Sequence, residues 1–116
     1  MLKKLARLAA VSLLLSSSIP ALAQKTYTPA QLRAMVNSGR YPDQGAASTQ
    51  TKTMDYSQCI ATLESVVGAV RPNYPAQTIV STNLMRVEKV WTNDAAVTVS
   101  CSAPDRKLVM TSAPYR

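Results

Sequence analysis

The chain has 116 residues, with 13 Lys and Arg against 6 Asp and Glu, a formal net charge of +7 and no His. Without His, the chain lacks the commonest general base and the commonest zinc ligand in proteins. A chain of this length forms one small domain at most, and so small a core lies near the lower limit for folding unaided.

The first 23 residues have the pattern of a cleavable export signal. Three basic residues lie within the first seven positions, an apolar run follows from 8 to 15, and the segment ends on Ala21-Leu22-Ala23. The run is too short to cross about 30 Å of hydrocarbon. We therefore predict cleavage after Ala23, a periplasmic or secreted bacterial protein, and no transmembrane segment after cleavage. The remaining chain has ten basic and six acidic residues, a net charge of +4.

Residues 24–53 are predicted to form an N-terminal arm outside the core. Thr28 is a favourable N-cap and Pro29 a favourable first residue for a short helix, which ends at a Gly-containing turn at 37–39. Residues 40–52 contain no long periodic apolar pattern. This stretch is therefore predicted to be a linker or a weakly paired strand.

The domain that follows, residues 54–116, is predicted to begin with a helix from about Ser57 to Val70, where apolar residues recur at helical spacing. The apolar period then changes to 2, which indicates strands separated by turns, with a bulge or turn near Asn83. The clearest strand is 95–101, where Ala and Val alternate with small polar residues. We predict an α+β fold, a small antiparallel sheet of three or four strands with the helix packed on one face.

Cys59 and Cys101 are the only cysteines, and they lie 42 positions apart on the apolar faces of the predicted helix and of the clearest strand. Their spacing is not that of a Cys-x-x-Cys redox pair. In an exported chain the default interpretation is a structural disulfide. Closing a loop of this size contributes about 4 kcal/mol in the chain-entropy model. We therefore predict a disulfide that joins the helix to the sheet.

Acid–base catalysis without His would depend on the six carboxylates, and each of them has a structural interpretation. Asp94 and Asp105 are predicted to lie in turns, and Asp55 is predicted to cap the helix. Glu88, beside Lys89, is predicted to be a solvated charge. Glu64 is predicted to lie on the polar side of the helix, and Asp43 follows a Pro in the arm. The chain contains no Gly-rich phosphate loop and no Gly-x-Ser-x-Gly or Ser-x-x-Lys motif. We expect no catalytic residue, no metal site and no cofactor.

The basic residues that remain after signal cleavage are scattered, and only Arg106 and Lys107 are adjacent. No aromatic repeat lies between them as a stacking platform, so we expect no nucleic-acid binding. The positive charge instead favours either an acidic partner or solubility alone. Arg106 and Lys107 are candidate contacts for such a partner.

The aromatic residues lie at predicted element ends, where Tyr and Trp can form contact surfaces. Trp91 is predicted to close the core of a chain that has no Phe. Tyr27, Tyr41 and Tyr115 are compatible either with the core or with a partner contact. The oligomeric state does not follow from the sequence.

The sequence predicts a small exported, non-enzymatic protein-interaction module, an accessory subunit or modulator of a bacterial envelope or secretion-type assembly. Its expected contact surfaces are the arm and an open sheet edge. One alternative is a basic surface that binds acidic glycan or lipid head groups of the envelope. Another is a small hydrolase or toxin with a carboxylate-based site.

Overall fold

The structure of the protein, a computed structural model, describes residues 25–116. The predicted export signal, residues 1–23, lies outside the described residues. Within the described chain, two helices and five strands follow one another in this order: α1 (Pro29–Asn37), β1 (Ser48–Thr53), α2 (Tyr56–Val70), β2 (Ala76–Ser81), β3 (Met85–Trp91), β4 (Ala95–Ser102) and β5 (Lys107–Pro114).

Both helices begin at side-chain caps. The Thr28 hydroxyl accepts a hydrogen bond from the Gln31 backbone N–H at 3.1 Å, and the Gln31 side chain accepts one from the Thr28 N–H at 2.9 Å. The Asp55 carboxylate caps α2 by accepting from the Gln58 N–H at 2.8 Å. After α1 the chain turns through Gly39, whose φ of +75° favours glycine. Both predicted helices are confirmed, and the longer one begins one residue earlier than expected.

The five strands form one antiparallel sheet in the order β1-β5-β4-β3-β2. Strands β2 to β5 form a meander, and α2 carries the chain from β1 at one edge to β2 at the other. The α+β class is confirmed, but the sheet has five strands where the sequence predicts three or four. The extra strand is β1, which pairs with β5 over six residues. It consists of Ser, Thr, Gln and Lys, so it lacks the alternation that identifies a half-buried strand.

One face of the sheet carries the larger buried cluster. Val99 and Cys101 point to this face from β4, and their register partners share it because paired residues in a sheet lie on the same side. The predicted disulfide between Cys59 and Cys101 joins α2 to β4, with the two Cα atoms 5.8 Å apart. The cluster combines residues of α2, β3, β4 and β5: Cys59, Leu63, Val67, Val90, Val99, Cys101 and Leu108.

The opposite face carries a smaller buried cluster at one corner. Trp91 follows Val90 in β3 and therefore points to the other side of the sheet, as does its register partner Ala96. Leu32 and Val36 of α1 pack there. The full cluster is Leu32, Val36, Trp91, Ala96 and Tyr115.

Residues 25–53 therefore do not form the arm outside the core that the sequence predicts for residues 24–53. They supply the two buried side chains of α1 and the whole of β1. Isolated backbone bridges also join Lys25 and Gln44 to Tyr115 near the C-terminus. Because these partners lie more than fifty residues away along the chain, a local sequence pattern does not show the contacts.

Candidate functional site

Tyr115 is fully buried and has no exposed surface with which to contact a partner. Its ring packs edge-on against Tyr27, with the centroids 5.2 Å apart. Its hydroxyl lies 2.7 Å from the Thr92 carbonyl oxygen and 3.0 Å from that of Ala95, and donates its proton to this pair. Burial, assisted by the nearby Asp94, raises the pKa of Tyr115 well above its ordinary value. Tyr115 thus belongs to the core, one of the two interpretations that the sequence allows.

The other predicted contact residues do not form one surface. Tyr27 is half-buried against the Tyr115 ring, whereas Tyr41 is 47% exposed. Arg106 and Lys107 are exposed at the turn between β4 and β5. That turn lies at the opposite end of the sheet from the corner where α1 packs, about 20 Å along β5 at the usual strand rise.

Glu88 differs from its interpretation as a solvated charge, because it is fully buried. One carboxylate oxygen accepts a hydrogen bond from Arg71 Nη2 at 2.9 Å, and the other accepts from Arg86 Nε at 3.2 Å. Apolar residues flank Glu88 on both parities of β3, so alternation in the sequence does not assign it to a face. A buried carboxylate with both oxygens paired is typical of a structural ion-pair network.

A cavity of about 250 Å³ lies beside this ion-pair cluster. Its lining includes Glu64 and Gly68 of α2 together with the two arginines that hold Glu88. Arg71 keeps 56% of its side chain exposed and Arg86 keeps 26%. Arg71 lies at the end of α2 and Arg86 lies in β3, so their ion pairs with Glu88 connect the end of α2 to β3.

The β1 edge of the sheet is regular and exposed. Each residue from Ser48 to Thr53 pairs with one residue of β5 without a bulge, and all six are exposed. The other edge strand, β2, has a shift of register between Thr78 and Val80. Bulges, prolines and charges are the usual protection of an edge, and β1 has only the charge of Lys52. Its outward backbone N–H and C=O groups are therefore available to another strand.

A groove of about 370 Å³ runs beside the β1 edge. Leu108 and Met110 of β5 lie next to Lys52 and Gln50 in the register, which places the groove on the same side of the sheet as α2. The Leu108 and Met110 side chains form an apolar floor. Thr51 completes the lining.

A third cavity, of about 240 Å³, lies on the opposite face near the α1 corner. The ring of Tyr41 stacks on the buried Trp91 ring, with the centroids 5.3 Å apart and the planes at 17°. Lys89 Nζ lies 5.3 Å from the Trp91 ring centroid. Gln77 is the register partner of Lys89, and its side-chain amide lies 3.4 Å from the Tyr41 hydroxyl. The half-exposed Ile79 completes the lining.

The burial of Trp91 confirms its predicted place in the core. Its Nε1 is buried and has no hydrogen-bond partner among residues 25–116. The spacing of Lys89 and Trp91 on β3 already places both on one face. The sequence does not show that Tyr41 covers them, because Tyr41 reaches the sheet from a loop about fifty residues earlier.

No group of three or more His, Cys, Asp or Glu side chains among residues 25–116 is placed to hold a metal ion. None of the described helices is long and apolar enough to cross a membrane. The chain matches no protein-family model, no curated protein and no solved structure. We therefore infer its function from the β1 edge with its groove and from the cavity at Tyr41.

Proposed function

We propose that this protein is a small non-enzymatic protein-interaction module that binds an extended segment of a partner as an additional strand on β1. The observation that carries the proposal is the regular, exposed edge of β1 beside the groove over Leu108 and Met110. Main-chain hydrogen bonds to an edge supply affinity, and pockets for alternate side chains supply specificity. The β1 edge and its groove offer both.

The chemistry of the groove defines the segment that fits it. Because Leu108 and Met110 form the floor, the partner strand carries apolar side chains at the alternate positions that face α2. Lys52 lies on this face, and Lys107 pairs with Thr53 at the same end of the strand. We infer that a carboxylate of the partner lies at this end, where charge complementarity sets orientation and association rate more than affinity.

We further propose that the module acts in the bacterial periplasm or outside the cell, as an accessory subunit or modulator of an envelope or secretion-type assembly. The disulfide supports an oxidising compartment, since structural disulfides persist there and are rare in the cytosol. The export-signal pattern of residues 1–23 supports the same location.

Site-specific photo-crosslinking in intact cells tests the proposal. A crosslinker at Ser48, on the groove side of β1, is expected to capture one protein, whereas a crosslinker at Ser81, on the β2 edge, does not. Gln50→Lys adds a second cation to the groove side of the edge and is expected to abolish the adduct. Thr49→Lys is the matched control, because it adds the same charge to the opposite face of β1, outside the lining of the groove, and is expected to keep the adduct.

Two results contradict the proposal. The first is equal crosslinking from Ser48 and Ser81, or none from either. The second is an adduct of twice the chain mass alone, which identifies a second copy as the occupant of β1. All four positions are exposed, so these substitutions leave the buried clusters intact.

The two alternatives from the sequence have different support. Asp55, one acid available to a hydrolase or toxin, is occupied as the cap of α2. For binding of acidic glycan or lipid head groups, Arg106 and Lys107 lie at an exposed turn that no cavity described above includes. Lys89 lies in a defined cavity, which favours a different cationic site for this second candidate function.

A further inference from the structure

The face of the sheet opposite α2 contains a row of polar side chains that crosses all five strands. The register aligns Thr49 with Thr111, Thr111 with Thr98, Thr98 with Lys89, and Lys89 with Gln77. All five are exposed or half-buried, and the hydroxyls of Thr49 and Thr111 are 3.3 Å apart. At the usual strand spacing the row is about 19 Å wide. We call it the polar row.

The charge of the polar row favours an anionic ligand. Lys89 is half-buried and forms no salt bridge with any residue of 25–116, while the adjacent Glu88 points to the other face. The register partners that share this face include Lys89 and Lys107 but no carboxylate. Because the Lys89 residue is half-buried and its ammonium has no counter-ion among residues 25–116, binding of an anion there is favoured.

Tyr41 adds an aromatic surface at the end of the row. One face of its ring lies on Trp91, and the residue as a whole is 47% exposed, so we infer that the other face of the ring is open to a ligand. An open aromatic ring packs well against the apolar C–H face of a sugar ring. The Gln77 amide and the threonine hydroxyls supply the donors and acceptors that sugar hydroxyls need.

We propose that the cavity between Tyr41 and Lys89 binds a sugar ring that carries a carboxylate, a uronic acid unit of an acidic polysaccharide. The ring stacks on Tyr41, the carboxylate binds Lys89 Nζ, and the neighbouring units follow the polar row. The cavity of about 240 Å³ suits one sugar unit, since it is smaller than the roughly 300–1,000 Å³ of pockets for drug-sized ligands.

The sole tryptophan of the chain, Trp91, lines this cavity and reports on binding by its fluorescence. The probes are short oligomers of galacturonic and of mannuronic acid, each compared with its methyl ester, which keeps the sugar but removes the charge. We expect the oxidised protein to bind an acid oligomer at least about tenfold more tightly than its ester, the usual range for a hydrogen bond to a charged group. The expected difference disappears at high salt.

Two variants and one control locate the site. Lys89→Gln is expected to remove the preference for the acid over the ester, and Tyr41→Ala to weaken the binding of both. Lys107→Gln removes a cation from the same face, two strands away from Lys89 and about 14 Å farther along the strand direction, and is expected to leave the preference intact. Backbone chemical shifts show that each variant is folded.

Equal affinity for acid and ester, a preference that survives Lys89→Gln, or no response to either oligomer at millimolar concentration overturns the proposal. A preference that is lost with Lys107→Gln but not with Lys89→Gln also overturns it, since binding would then be at the β4–β5 turn. None of these variants changes β1. The proposed sugar site and the proposed protein-binding edge are therefore tested independently of each other.

Discussion

The two faces of the sheet differ in how much of each is covered by packed helices. The face toward α2 carries seven residues of one buried cluster and a disulfide. The opposite face has a five-residue cluster at one corner, where α1 packs, and a row of polar side chains beyond it. The larger buried cluster and the disulfide lie on one side of the sheet, and the other side exposes more polar side chains. In a domain this small, the sheet itself thus separates the proposed sugar site from the larger buried cluster.

Removal of the disulfide measures how much of the free energy of unfolding depends on the covalent link between α2 and β4. We expect the double variant Cys59→Ala, Cys101→Ala to lose about 4 kcal/mol of unfolding free energy, because the unfolded chain regains the entropy of the open loop. Urea denaturation of the variant and of the oxidised protein gives the difference. A loss below about 1 kcal/mol would mean that packing alone is sufficient to hold α2 against the sheet.

Truncation of Leu32 tests whether α1 is part of the fold or a detachable arm. Leu32 is fully buried against the corner cluster, so Leu32→Ala is expected to cost about 3 kcal/mol through lost burial and a residual cavity. Met35→Ala, at a half-buried position of the same helix, is the control and is expected to cost less. Thermal or urea denaturation gives both values. Unchanged stability in Leu32→Ala would support the arm that the sequence predicts.

Neutralisation of Glu88 tests the buried ion pairs of the α2 face. Glu88→Gln leaves two guanidinium groups beside a neutral amide, and we expect a loss of about 2 kcal/mol. This is less than for a fully buried pair because Arg71 is 56% exposed and solvent screens it. Glu64→Gln, at an exposed position on the same cavity, is expected to change stability by less than about 0.5 kcal/mol. Equal effects of the two variants would contradict a structural role for Glu88.

The smallest effect is expected at Tyr115, and it depends on pH. Tyr115→Phe removes the hydrogen bonding to Thr92 and Ala95, at a cost of about 1 kcal/mol near neutral pH. In the folded protein the pKa of Tyr115 is raised, so its stabilising effect is complete below the unfolded value of about 10 and is lost as the pH rises above it.

Urea denaturation between pH 7 and 11 tests this dependence. The wild-type protein is expected to lose more stability above pH 10 than Tyr115→Phe, because only the wild type must keep this phenol protonated when folded. Tyr41→Phe serves as the control, since Tyr41 is half exposed. Identical pH profiles for the wild type and Tyr115→Phe would contradict the prediction.

Several elements of the fold follow from local sequence signals. Thr28 and Asp55 cap the helices as their residue types predict, and the alternation in 95–101 marks β4. The positions of Cys59 and Cys101 on apolar faces predict the disulfide. The change of parity near Asn83 corresponds to the turn between β2 and β3, while the register shift lies a few residues earlier, between Thr78 and Val80.

Other features depend on contacts between distant segments. β1 is polar throughout, so only its pairing with β5 makes it a strand. Of the candidate site residues, Tyr41 was identified from the sequence, but its stacking on Trp91 beside Lys89 was not. Tyr115 is the opposite case. The sequence allows it either in the core or at a partner contact, and the structure buries it in the core.

The sequence by itself determined the α+β class, both helices, most of the meander and the disulfide, because caps, periodicity and cysteine placement act over a few residues. The tertiary structure alone decided the fifth strand, the burial of Leu32 and Glu88, and the surfaces at β1 and Tyr41. These depend on which distant segment lies opposite each side chain. That choice is made by the packing of the whole chain, and no short pattern encodes it.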